Sequence, residues 1–138
     1  MDWHPKKDEI IVLGKHVRVY DLKGNLLEKF EHRKEDVLML CVHWHPSGKF
    51  FVIGDYGDNQ KNYMPLLQFW NKEYKLKTEK NISKAEYRNI RWTNDGKQLA
   101  TASDALRIWT KRGKLRFTGK SEQLLWGIDW SPDGRHIV

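Results

Sequence analysis

His43–Gly54 reads HWHPSGKFFVIG: a tryptophan, a tight polar turn, then a short run of strand-forming residues. The same phrase recurs as DWHPKKDEIIVLG from Asp2, RWTNDGKQLATAS from Arg91 and DWSPDGRHIV from Asp129. Its anchors are Trp3, Trp44, Trp92 and Trp130, which stand 41, 48 and 38 residues apart. A period near 40 is the mark of an all-β repeat array. In the turn, Pro presets φ and Gly accepts a positive φ.

Working outward, each repeat resolves into four short strands. In the second repeat they are expected near residues 38–44, 50–53, 65–70 and 74–79, with a long polar loop over 55–62. In the third they fall near 88–92, 98–102, 106–110 and 114–118. The first repeat lacks most of its first strand and keeps 10–13, 17–20 and 26–30. The fourth offers a first strand over 124–130 and the start of a second. A weak helical hint lies around 83–88. The repeat units are then 1–33, 34–81, 82–119 and 120–138. A four-stranded sheet cannot bury both faces alone, and stacking such sheets radially is the β-propeller solution. The expected fold is therefore all-β: a propeller segment of four-stranded antiparallel blades, not a closed ring by itself. The remaining blades are expected from a longer parent chain or from self-association, because closed propellers have about four to eight blades.

Composition narrows the function classes. Of 138 residues, 39% are hydrophobic, 12% aromatic and 31% charged, with seven Trp. Large aromatic anchors can supply much of such a core, each burying roughly 150–250 Å². No apolar run approaches the roughly 20 residues that cross a bilayer as a helix. One cysteine, Cys41, excludes an internal disulfide and fits a small buried strand residue. The N-terminus has no apolar core of a signal peptide, so a cytoplasmic setting is expected.

At these residues the chain resembles WD-repeat β-propellers over essentially its whole length. SPDGRHIV (131–138) and NDGKQLATASDALRIWT (94–110) look like that family's strand-one-to-three signature. The aromatic ending strand three recurs as Tyr20-Asp21, Trp70-Asn71 and Trp109-Thr110, with the family's Asp only in the first. The Gly-His pair before strand one is degraded to Glu31-His32, is absent near Asn81 and returns as Gly119-Lys120. The family's buried Asp–His–Ser/Thr–Trp network is accordingly not expected intact. The resemblance implies that Ser103, Asp104 and Trp109 take three of its places in the third repeat. From these departures a divergent, bacterial-type propeller is expected.

The four copies also sort the charges by rim. Turns joining strands one to two and three to four share one rim, which leans basic through Lys49, Lys97, Lys111 and Arg112 among others. The opposite rim is mildly acidic. It carries the most distinctive loop, Asp55–Tyr63 (DYGDNQKNY), whose Tyr56 and Tyr63 sit among adaptable polar residues suited to recognition. Arg88 and Trp126 lie four residues before their anchor tryptophans, with Leu40 equivalent; the resemblance implies that this position faces the channel mouth. The expected partner-binding residues are Tyr56, Tyr63, Arg88 and Trp126, with Arg33 as a peripheral contact. His43 and His45 flank Trp44 as an H-x-H pair, but His45 aligns with His4, Thr93 and Ser131, which makes it a turn-capping residue rather than a metal ligand.

The leading expectation is a protein–protein interaction scaffold acting through rim loops, not an enzyme, with no cofactor and no metal. An enzyme with a central-channel site is the alternative, but its inner strands offer a thin set: Cys41, His43, Arg91 and Asp129. Docking of an acidic partner or nucleic acid on the basic rim is the third reading. Nucleic acid is the less expected of the two, since aromatics do not interleave with the basic turns.

Overall fold

A computed structural model describes residues 1–138 as twelve strands and no helix. Blade one comprises β1 (Asp2–Trp3), β2 (Glu9–Val12), β3 (Val17–Asp21) and β4 (Leu26–Phe30). Blade two comprises β5 (Met39–Trp44), β6 (Phe50–Asp55), β7 (Leu67–Asn71) and β8 (Leu76–Lys80). Blade three comprises β9 (Asn89–Trp92), β10 (Gln98–Ala102), β11 (Ala105–Thr110) and β12 (Leu115–Lys120). Every blade is an antiparallel meander in chain order, and the three sheets do not close into a ring. All three carry a register shift at the same place, between the last two strands beside Tyr20, Trp70 and Trp109. Such a bulge adds local twist, and its recurrence marks the blades as copies.

Two expected elements differ. The stretch 83–88 is not helical. The expected first strand of the fourth repeat is reduced to one bridge, Trp130 to Ile137. Ile128 and Leu125 nevertheless pack on Ala100, Ala102 and Ile108 of blade three.

The cores lie between blades, not within them. Ile11, Val17 and Val19 of blade one meet Trp44, Phe51, Ile53 and Trp70 of blade two. On the other face of blade two, Val52, Leu67 and Phe69 meet Tyr87, Trp92, Leu99 and Trp109. Residues of β6 thus alternate between two cores, the period-two pattern of a sheet buried on both faces. Each anchor tryptophan packs toward the preceding blade. Trp44 and Trp92 are buried, whereas Trp3, with no sheet on that face, is 55% exposed.

Polar bonds repeat across the same interfaces. His4 Nε2 donates to the Gly48 carbonyl at 3.1 Å, and its Nδ1 accepts from Lys6 N at 3.0 Å. His45 Nε2 donates to the Gly96 carbonyl at 2.9 Å, and its Nδ1 accepts from Ser47 N at 3.1 Å. The turn capping expected of His45 is therefore present, and it also reaches the next blade. Gly48 and Gly96 have φ near +69°. A Cβ on Gly48 would stand 2.6 Å from His4 Cε1, so the turn and the histidine require glycine independently. Two positions earlier, Asp2 Oδ2 accepts from Trp44 N at 2.6 Å and His43 Nδ1 from Trp92 N at 3.0 Å. Side chains of one blade thus satisfy the open edge of the next blade's inner strand.

These contacts fix the neutral histidine and predict a pH dependence. Burial lowers the pKa of His4 and His45 below the ordinary value, despite the carbonyl each faces. The unfolded chain therefore binds more protons than the fold below about pH 6.5, and stability falls as pH drops through that window. Thermal unfolding between pH 7.5 and 5.5 should show a declining Tm, and His4→Gln/His45→Gln should flatten the decline. A wild-type profile flat down to pH 5.5 would exclude this role.

Candidate interaction surface

The Asp55–Tyr63 loop is an organised element built on one carboxylate. Asp55 ends β6 with no exposed surface. Its Oδ1 accepts from Gly57 N at 3.0 Å and Leu66 N at 2.9 Å, closing the base of the loop. Its Oδ2 accepts from Arg33 Nη1 at 3.1 Å and stands 3.2 Å from His32 Nε2. The loop then folds back on itself. Asp58 and Tyr63 exchange two backbone bonds of 2.8 Å, and Asp58 Oδ1 accepts from Gln60 N and Lys61 N. Gly57 holds φ +67°, where a Cβ would stand 2.7 Å from the Tyr63 carbonyl oxygen, so only glycine fits.

Arg33 lies beneath this loop, its side chain 9% exposed. It donates to Glu35 at 2.9 Å and to the Met64 carbonyl at 3.1 Å, and lies 5.6 Å from the Tyr63 ring centroid. Sequence reading placed it at the edge of a contact surface. The structure shows it holding Asp55 and Tyr63 in place.

Tyr56 is 50% exposed and lines a groove of about 480 Å³ with Asp36, Val37 and Leu38 on one wall and Gly57–Gln60 on the other. Backbone bonds tie the parts together: Tyr56 N donates to the Leu38 carbonyl and Tyr87 N to that of Asp55. One residue beyond Tyr87, the Arg88 guanidinium stacks over the Trp126 ring at 3.5 Å and donates to Glu86. Trp126 remains 70% exposed. Arg88 and Trp126 hold equivalent positions in successive repeats, so stacking the repeats makes them neighbours. The rim therefore presents Leu38, Tyr56, Arg88 and Trp126 on rigid supports. A stacked cation–aromatic pair and exposed apolar side chains beside carboxylates are the composition of a recognition surface. Arg33 and Tyr63 pair separately, at the outer base of the loop.

Sequence reading missed Asp55, His32 and Glu86. The signal for His32 lay in the degraded Glu31-His32 pair. The buried network expected to be broken is present in altered form. In blade two, Trp70 Nε1 donates to Gln68 Oε1 at 3.2 Å, Gln68 Nε2 to the His32 carbonyl at 2.6 Å, and His32 meets Asp55. In blade three, Trp109 Nε1 donates to Thr101 Oγ1 at 3.0 Å. Thr101, not Ser103, therefore takes the tryptophan, because it lies two residues along β10 from Leu99, on the same face, and Leu99 pairs with Trp109. Ser83, Ser103 and Arg107 converge on Asp104 instead. Burial alone would raise the Asp104 carboxyl, but the donations from Arg107, Ser83 and Ser103 outweigh it and hold it well below the usual carboxylate range.

A family model for Eukaryotic translation initiation factor eIF2A matches residues 1–127. No curated protein matches the chain.

Proposed function

Since the chain belongs to the Eukaryotic translation initiation factor eIF2A family, we propose that it is a translation-initiation-related interaction scaffold of WD-repeat type, acting in the cytoplasm. It recognises a protein partner through the rim that carries Tyr56, Arg88 and Trp126. The observation that carries this reading is the Arg88–Trp126 stack together with the exposed Tyr56 groove, joined through the backbone bond from Tyr87 N to the Asp55 carbonyl. The WD-repeat assignment is supported by the buried Trp70–Gln68–His32–Asp55 network of blade two and by the Trp109–Thr101 bond of blade three.

Action by binding rather than catalysis is supported by the occupation of the inner strands' reactive groups. His43 Nδ1 accepts the Trp92 N–H. Burial pushes the Cys41 thiol up to about 12, which leaves no thiolate nucleophile near neutral pH.

Co-sedimentation with purified small ribosomal subunits and their initiation factors tests the proposal. Tyr56→Ala and Trp126→Ala should each weaken binding about tenfold, the size of a moderate hot spot, without lowering Tm. Trp126→Ala removes an exposed ring, so a folding defect would not account for the loss. Binding unchanged in both variants would overturn the assignment of this rim.

A further inference from the structure

The opposite rim carries a second site. Where the outer strands of blade two meet the β11–β12 turn, a cleft of about 240 Å³ is floored by Phe50, Phe69 and Trp70 and edged by Lys49, Lys77, Lys111 and Arg112. Lys97 and Lys114 continue the basic edge around Lys111 and Arg112. No Asp or Glu lines it, and Lys49, Lys77, Lys111, Arg112 and Lys114 are in no ion pair. Lysine on an outer strand is ordinarily explained by protection against edge pairing. That accounts for Lys77 but not for Lys49, Lys111, Arg112 and Lys114, which lie in the connections between strands. Cations from three separate elements converge, although mutual repulsion would favour dispersal. Gly113 brings the turn down onto the floor: its Cβ position is 3.2 Å from the Phe69 ring.

We propose that this cleft docks an acidic peptide segment bearing an apolar anchor, the anchor seated on Phe50 and Phe69 and its flanking carboxylates on Lys49, Lys77, Lys111 and Arg112. The floor separates this partner from RNA. Phe69 and Trp70 are 4% and 6% exposed, and one face of Phe50 is stacked against His45 with centroids 4.1 Å apart. Phe69 and Trp70 offer no open face on which a base stacks, and Phe50 has one of its two faces taken by His45, whereas an aliphatic side chain needs only the apolar edges and charge-complementary flanks. The inference stands apart from the reading of the Tyr56 rim, since it concerns the other rim and other residues.

The test is fluorescence anisotropy on the full chain with a labelled peptide of glutamates around a central leucine. The same peptide with serine in place of leucine, and an oligouridylate of about ten nucleotides, serve as comparators. The leucine peptide should bind best, with about fivefold loss for the serine peptide and at least about tenfold loss in Lys77→Glu/Lys111→Glu. Both lysines are exposed, and an unchanged Tm in that variant separates lost contact from lost fold. Tighter binding of the oligouridylate, equal binding of the two peptides, or indifference to the charge reversal would each overturn the proposal.

Discussion

Asp55→Ala is expected to remove about 3–5 kcal/mol of stability, the cost of breaking a buried ion pair by deleting one partner. Arg33 and His32 are left facing each other without the carboxylate between them, and Gly57 N and Leu66 N lose their acceptor. The Tm should fall by on the order of 10 °C for a chain of this length. Hydrogen exchange over residues 56–66 should accelerate well before global unfolding, because the loop base is tied through this one side chain. Asp55→Asn keeps an acceptor for the two backbone N–H groups and should lose less. A Tm shift of only about 1–2 °C for Asp55→Ala would show that the network does not hold the loop. Partner binding through Tyr56 should fall with the loop, whereas acidic-peptide binding on the opposite rim should not.

Trp109→Ala is the second large effect, about 3–5 kcal/mol for truncating a fully enclosed aromatic. The ring is 1% exposed and packs between Trp92 and Leu99 of its own blade and Val52 and Leu67 of blade two. Its loss therefore opens the interface between two blades, and unfolding should become broader as the blades uncouple. Thr101→Val removes only the hydroxyl that accepts from Trp109 Nε1 and should cost about 1 kcal/mol. Chemical denaturation of the two variants side by side distinguishes packing from hydrogen bonding. Equal losses would assign the interface to the hydrogen bond rather than to the ring.

The legibility of this chain differs by kind of feature. β10 was readable to the residue and β4 likewise, because the glycine turns that precede them, at Gly96 and Gly24, are local properties. The positive-φ turns at Gly48, Gly96 and Gly134 were equally readable. The pairing of Arg88 with Trp126 was half legible, since alignment marked both as equivalent but could not bring them within 3.5 Å. Asp55 was read only as part of a long loop. Nothing within that loop announces that Arg33 and His32, more than twenty residues earlier, converge on it.

By itself the sequence determined the all-β repeat, the four-stranded blade and the sorting of turns onto two rims. Each follows from short-range requirements of φ, strand alternation and turn chemistry, repeated often enough to be unambiguous. The tertiary structure alone decided which side chains cross between blades. Asp2 on Trp44 N, His43 on Trp92 N, His4 on Gly48 and His45 on Gly96 all link one repeat to the next. It also decided that Arg33 is a support and that unpaired lysines gather over Phe69. Alignment of repeats shows which residues are equivalent. Which residues touch depends on how the blades stack and how side chains turn at the interface, and that geometry arises only once the apolar faces are buried together.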